Sequence, residues 1–154
     1  MKRMFSFVAA LALAMFSFQA LAADAERGTT QEAESLVHKA IAFYKKNGKE
    51  KSMAEFSKSP GPFVDRDLYV TIYTLQGDCL SHINSKMVGK NMMDLRDPTG
   101  KYHIKERMEQ AAVKDNGWQD FQFFNPQTKK VEPKRMYWEK YDNLVFAAGA
   151  YKPE

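Results

Sequence analysis

The sequence is poor in residues that cross-link a chain or bind metals. Cys79 is the only cysteine in 154 residues, so no internal disulfide can form and stability must come from burial and hydrogen bonding. We expect Cys79 to be a small buried residue in a strand, with an intermolecular disulfide as the alternative. His38, His82 and His103 show no ligand spacing with one another or with Cys79, and no CxxCH haem motif occurs. The sequence therefore predicts neither a metal site nor a cofactor.

Motifs of several catalytic folds are also missing. The chain has no GxSxG nucleophile elbow, and its Gly-Lys-Asn triplet at 89–91 lacks the preceding glycine of a phosphate-binding P-loop. Cys79 and His82 would point to opposite faces of a strand, which argues against a nucleophile and its base. A small hydrolase or isomerase would need a polar cluster that the sequence does not show. We therefore expect that the protein is not an enzyme.

The charge of the chain is nearly balanced. It contains 23 lysines and arginines and 19 aspartates and glutamates, and two of the basic residues, Lys2 and Arg3, lie in a segment that we expect to be removed. The mature net charge is then about +2. Basic and acidic residues are interleaved at 45–51 and 101–107, which is typical of a solvated face. We expect no nucleic-acid binding.

The one long apolar run stands at the start of the chain. Two basic residues precede apolar residues 4–19, and the triplet at 20–22 is the Ala-Leu-Ala of a signal-peptidase site. The run is short for a membrane-spanning helix. We predict that residues 1–22 are a cleaved signal peptide and that the mature protein is periplasmic or secreted. An uncleaved membrane anchor is the alternative.

Helical signals follow the leader. Thr29 and Glu32 have the spacing of a capping box, so a long helix should begin directly after Thr29. Asn47-Gly48 should end or bend it, and a short second helical piece should run to the Ser-Pro-Gly-Pro break at 59–62. The apolar residues on one face of the long helix are Ala33, Leu36, Val37, Ala40, Ile41 and Tyr44.

Strand signals begin at Leu68. Residues 68–75 and 79–83 are rich in β-branched and aromatic residues and flank a turn at 76–78, which predicts a β-hairpin. Both faces of its first strand are apolar, so the sheet should be covered on both sides. Residues 84–116 hold turn signals and a short amphipathic helix that should cross over the sheet. Three further strands are predicted at Trp118–Phe124, Pro133–Lys140 and Leu144–Tyr151.

These elements predict one α+β domain over residues 23–154, helical at 29–57 and with sheet and crossover at 63–152. An antiparallel sheet of about five strands would carry the long N-terminal helix on one face and the crossover on the other. A small pocket should lie between the sheet and the crossover.

Several segments together resemble the single Cache domain of bacterial extracellular sensors. They occur in the family's order and spacing and cover nearly the whole mature chain. The resemblance implies a PAS-like fold and reversible binding of a small extracellular ligand, often a short carboxylate, without catalysis. The segments are Gly61–Tyr69, Gly77–His82, Val88–Asn91, Asp97–Lys101, Gly117-Trp118, Asn125–Lys130 and Gly149–Lys152.

Cache domains usually sit between two membrane helices and drive a chemoreceptor, kinase or cyclase module. This sequence shows no second long apolar segment. The resemblance therefore implies a stand-alone secreted form that binds a small organic anion and reports to a separate membrane receptor or kinase. The alternative is an interaction module without a ligand, whose long helix pairs with a partner's helix or with a second copy in a homodimer.

A pocket for a small carboxylate needs charged donors above an apolar floor. His82, at the end of the predicted second strand, can donate a hydrogen bond in either protonation state. A structural role for this histidine is the alternative. With the family resemblance, ligand contact and a structural role are equally supported. Tyr69, Thr71 and Tyr73 share one face of the first strand by alternation. For the tyrosines, a core position with a satisfied hydroxyl is the alternative.

Five further residues complete the predicted ligand-binding set. Lys134 and Tyr137 lie in the fourth strand, where strict alternation places them on opposite faces unless a bulge intervenes. Trp118 fits a pocket wall or the core. Arg107 and Met108, on the crossover helix, could close the top of the pocket.

Overall fold

The computed structural model describes residues 27–152, so the predicted signal peptide lies outside the described residues. Over that range no helix is both long and apolar enough to cross a membrane. The helices are α1 (Thr30–Asn47), α2 (Lys49–Phe56) and α3 (His103–Val113). The strands are β1 (Val64–Asp65), β2 (Leu68–Tyr69), β3 (Thr71–Thr74), β4 (Cys79–Ser81), β5 (Asn116–Phe124), β6 (Val131–Tyr141) and β7 (Leu144–Tyr151).

The predicted capping box starts α1. The Glu32 N–H donates to Thr29 Oγ1 at 3.2 Å, and the Glu32 carboxylate accepts from the Thr29 N–H at 2.8 Å. These two bonds satisfy amide groups that the first helical turn would leave without partners. The helix ends at Gly48, whose φ of 78° breaks the repeat, as predicted. All six predicted apolar-face residues of α1 are buried.

The main sheet has five antiparallel strands in the order β4-β3-β7-β6-β5. Helix α1 packs on one face of its central strands, and the crossover with α3 covers the other. The predicted α+β architecture is therefore confirmed. Since both faces are covered, every residue of the central strand β7 is buried.

The predicted strand at 68–75 is wrong in one respect, because it is divided. Leu68–Tyr69 pairs with Val64–Asp65 in a separate ribbon, and only Thr71–Thr74 joins the main sheet. The Val70 N–H donates to the Phe63 carbonyl at 3.3 Å, so the hydrogen bonding of the ribbon continues for one more residue. The predicted second strand likewise ends at Ser81 rather than at 83.

The two faces of the sheet have separate cores. Against α1, the rings of Phe56 and Phe63 meet edge to face with centroids 4.6 Å apart, and Phe146 lies 6.3 Å from Phe56. Against the crossover, Cys79 is free and completely buried, as predicted for a small strand residue. Burial raises the pKa of its thiol to about 11. The helix-side core is aromatic and apolar, whereas the crossover side contains the buried charges described below.

We expect Phe56→Ala to lower the free energy of unfolding by about 3–5 kcal/mol, because the truncation leaves a cavity in a closely packed core. Urea denaturation measures this change. Phe124→Ala is the matched control, since that ring is 48% exposed and its loss should change stability by less than about 0.5 kcal/mol. Equal losses in the two variants would contradict the packing described for the α1 side.

Candidate ligand-binding site

A small chamber lies between the sheet and the crossover. Tyr69, Thr71 and Tyr73 share its sheet wall, so the predicted alternation is preserved across the break between β2 and β3. The chamber has a volume of about 10 Å³, which is room for about one water molecule. Its lining residues are Tyr69, Thr71, Tyr73, His82, His103, Arg107, Phe121, Phe123 and Met136.

Arg107 brings a positive charge into this chamber from α3. The side chain is 1% exposed, and its Nε donates to Gln119 Oε1 at 3.1 Å. Gln119 Nε2 donates in turn to the His103 carbonyl at 2.9 Å, which fixes the start of α3 against β5. Arg107 Nη2 is buried and finds no hydrogen-bond partner among residues 27–152. Burial lowers the pKa of Arg107 to about 10, so the side chain remains charged at neutral pH.

Lys134 is a second buried basic group beside the chamber. It is 1% exposed, and its Nζ lies 4.0 Å from the ring centroid of Tyr69 and 4.4 Å from that of Tyr151. Nζ also donates to Tyr151 Oη at 3.3 Å. Burial and the charge of Arg107 hold the pKa of Lys134 well below its usual value, with a partial opposing effect of the Asp67 carboxylate.

Gly149 makes room for the lysine stem. A Cβ at this position would lie 2.9 Å from Lys134 Cε and 2.9 Å from the Arg135 carbonyl oxygen. The absence of a side chain at Gly149 therefore permits Lys134 to extend across the surface of β7 to the rings of Tyr69 and Tyr151.

The described part of the chain contains no salt bridge to Arg107 or to Lys134. A buried charge without a close counter-charge is costly, and it neutralises or attracts an ion of opposite sign. The two side chains therefore give the chamber and its margin buried donors of the kind that suits an anion.

His82 and His103 add two neutral rings to the chamber. The Asn84 N–H donates to His82 Nδ1 at 2.9 Å, so the proton of the neutral ring is on Nε2. The His103 ring stacks on Phe121 with centroids 4.4 Å apart, and its buried Nδ1 finds no partner among the described residues. Burial, together with the nearby Lys134 and Arg107 respectively, lowers the pKa of His82 and of His103 to about 3. Neither ring adds charge at neutral pH.

The structure brings together most of the predicted site residues but not all of them. Tyr69, Thr71, Tyr73, His82 and Arg107 line the chamber, with Lys134 beside it. Met108, on α3, faces the same side of the sheet but packs into the apolar core there and does not line the chamber.

Trp118 and Tyr137 lie on the opposite, α1 side of the sheet. They are register partners whose ring centroids are 5.2 Å apart, and the Tyr137 hydroxyl donates to Glu139 at 3.0 Å. The register of β5 with β6 runs without a bulge, so alternation separates Tyr137 from Lys134. These two aromatic residues do not line the chamber.

Sequence reasoning missed several residues of the chamber. Phe121 and Phe123 alternate along β5, and Met136 shares the alternation of Lys134 on β6, so the two-residue period could have identified these three. Gln119 shares the alternation of Phe121 and Phe123, but a polar residue there, like His103 on α3, looks solvent-exposed until the tertiary contacts are known.

An apolar groove adjoins the chamber. Its volume is about 400 Å³, within the range of small-molecule sites. Tyr69, His82 and Phe123 line both spaces and so form the wall between them. The other lining residues of the groove are Ser59, Ile83, Asn84, Met87, Phe124 and Pro126.

The two buried histidines predict a loss of stability in mild acid. Between pH 7 and pH 5 the unfolded chain protonates both rings near their usual pKa, while the folded protein, with pKa values of about 3, does not. The unfolded state then binds more protons, so the free energy of unfolding should fall as the pH falls, by about 2 kcal/mol per histidine.

Urea denaturation at pH 7 and pH 5, repeated on His82→Gln and His103→Gln, measures this effect. Each substitution should remove about half of the difference between the two pH values. Glu32 and Asp97, whose pKa values hydrogen bonds hold at about 2, lose their contribution mainly at lower pH. A stability that is constant from pH 7 to pH 5 would mean that the folded rings take up protons and that the chamber is wet.

Comparisons with known proteins agree with this architecture. No curated protein sequence matches the chain. A methyl-accepting chemotaxis protein from Vibrio parahaemolyticus is 21% identical, with a TM-score of 0.68 over 89% of this chain and 95% of that one. A periplasmic sensor domain of a chemotaxis protein is 19% identical, with a TM-score of 0.62 over 93% and 98%.

A third similar structure is a Cache chemosensory domain described for its recognition of carboxylic acids. It is 17% identical, with a TM-score of 0.63 over 80% of this chain and 88% of that domain. Identities this low show a shared fold. The model of the family described as Single Cache domain 2 matches residues 4–149, which is nearly the whole chain. This protein therefore belongs to the single Cache domain family.

Proposed function

We propose that this domain binds a small organic carboxylate outside the cytoplasm, without chemical turnover, and reports its bound state to a separate membrane partner. The observation that carries the proposal is the buried guanidinium of Arg107, whose Nη2 has no hydrogen-bond partner among residues 27–152 although it lines a chamber. A carboxylate can accept from a guanidinium with two oxygens and neutralise its charge, which makes it a well-matched ligand.

The surrounding groups would strengthen this contact. Lys134 lies close enough to Arg107 for the charge of one to lower the pKa of the other, so one anion can stabilise both. His82 can donate from Nε2 without adding charge, because its Nδ1 is occupied by the Asn84 N–H. Aromatic rings line the remaining wall and exclude water, and charge-assisted hydrogen bonds are strongest where water is excluded.

Reporting to a partner requires that the partner distinguishes the bound from the free state, since a ligand shifts an equilibrium only through differential affinity. The family membership and the predicted leader support a location outside the cytoplasm. The similar structures are sensor domains of chemotaxis proteins, which supports a sensing role over catalysis.

The alternative of helix pairing through α1 receives less support. Its apolar face already packs on the sheet, and the residues that it exposes are mainly polar, among them Gln31, Ser35, Lys39 and Lys46. Such a surface offers little apolar area for a second helix.

A thermal-shift and calorimetry panel of acetate, propionate, lactate, pyruvate and amino acids tests the proposal. At least one carboxylate should raise the melting temperature, because a ligand that binds only the folded state stabilises it. No shift with any of them, nor with longer monocarboxylates such as hexanoate, at millimolar concentration would contradict carboxylate binding.

Two substitutions locate the binding. Arg107→Met and Lys134→Met should each lower the affinity for the carboxylate that binds in the panel by about 30-fold or more. This is the loss expected when one partner of a buried charge pair is removed. Lys134→Met should keep or raise the melting temperature of the free protein, because it removes a buried charge. Lys105→Met, at an exposed position on α3, is the control and should leave the affinity unchanged. Unchanged affinity in both buried-site variants would place the ligand elsewhere.

A further inference from the structure

The apolar groove beside the chamber has no role in the proposed contact with a carboxylate. It is about 40 times larger than the chamber, at about 400 Å³ against about 10 Å³. No charged side chain lines it within the described part of the chain. Phe124, on its wall, exposes 48% of its surface. A neighbouring hollow contains Arg66, but that guanidinium is already bound to Asp65 and Glu32.

Three rings separate the chamber from the groove. The centroid of His82 lies 5.2 Å from that of Tyr69 and 6.3 Å from that of Phe123, and all three residues line both spaces. Lys134 Nζ lies against two of the same rings, 4.0 Å from the Tyr69 centroid and 5.7 Å from the Phe123 centroid. A carboxylate that passes these rings therefore meets the buried lysine directly.

The volume of the chamber limits how the ligand can lie. Space for about one water molecule is too small for a carboxylate and the carbon that bears it, so binding at Arg107 requires the ring wall to move. Movement of this wall joins the chamber to the groove. The part of the ligand beyond its carboxylate then lies against Ile83, Met87 and Phe124 rather than in water.

We propose that the ligand is a monocarboxylate with an uncharged apolar tail, whose carboxylate occupies the chamber and whose tail occupies the groove. The inference rests on the proposed function and adds the class of carboxylate. A second charge on the tail would lose its hydration against a wall that offers no counter-charge, so dicarboxylates and amino acids are disfavoured. An acid as short as acetate would leave the apolar wall without a partner.

A homologous series tests the tail. Calorimetry with acetate, butanoate, hexanoate and octanoate should show the affinity rising about 4-fold for each methylene that the groove buries. Two matched pairs test the charge: hexanoate should bind more tightly than adipate, and 3-phenylpropionate more tightly than phenylalanine.

A pair of variants tests the location. Phe124→Ser should lower the affinity for hexanoate by about 5-fold and leave the affinity for acetate unchanged, because the ring makes apolar contact with the tail only. Val131→Ser is the matched control, since Val131 pairs with Phe124 in the sheet register and is equally exposed at 48% but does not line the groove. It should leave both ligands unchanged.

The outcomes separate this inference from the proposed function. If all four acids bind equally and depend on Arg107, the carboxylate site stands and the groove inference is wrong. Binding of the long acids that survives Arg107→Met would also overturn the inference, because the carboxylate would then not occupy the chamber. If no acid of any length binds, the proposed function fails and the inference fails with it.

Discussion

The organisation of the crossover side depends on two cationic side chains buried without a salt bridge in the described structure. Arg107 and Lys134 are each 1% exposed, and no salt bridge within residues 27–152 neutralises either charge. Such an arrangement opposes folding and persists only if the neighbouring structure holds it in place. Gln119 supplies that support for the guanidinium, and aromatic rings supply it for the ammonium.

The two faces of the sheet differ in the kinds of side chain that they bury. Against α1 the core is built from aromatic and aliphatic side chains with edge-to-face ring contacts, such as those of Phe56 with Phe63 and Phe146. On the crossover side, the sheet contributes the buried Lys134 and the thiol of Cys79, and α3 contributes Arg107 and His103. Apolar burial on the α1 side therefore offsets the free-energy cost of burying polar and charged groups on the crossover side.

Much of the fold could be predicted from the sequence because its signals are local. The capping box, the apolar face of α1 and the two-residue alternation of the strands each depend on a few neighbouring residues. Strict alternation places Lys134 and Tyr137 on opposite faces, so the prediction that both line the pocket needed a bulge, and the uninterrupted β5–β6 register has none. The division of the first predicted strand at Val70 left no signal, because a one-residue transfer between sheets does not disturb the alternation.

The site was predictable only where chemistry and periodicity coincided. Tyr69, Thr71 and Tyr73 followed from alternation, Lys134 was a candidate from its place in the fourth strand, and Arg107 from its place on the crossover helix. Gln119 and His103 escaped notice since their roles depend on contacts between α3 and β5. Trp118 was ambiguous because a large ring fits a pocket wall as well as a core, and only the tertiary register decided between them.

The segment that enters α1 is bonded to the strands that border the chamber. Arg27 forms a salt bridge with Glu132 at 3.0 Å, two residues before Lys134, and the Gly28 N–H donates to Asp67 at 2.7 Å, two residues before Tyr69. A displacement of the chain at Arg27 would therefore act first on the backbone next to Lys134 and Tyr69. The start of the domain is therefore bonded directly to the two strands that supply Lys134 and Tyr69.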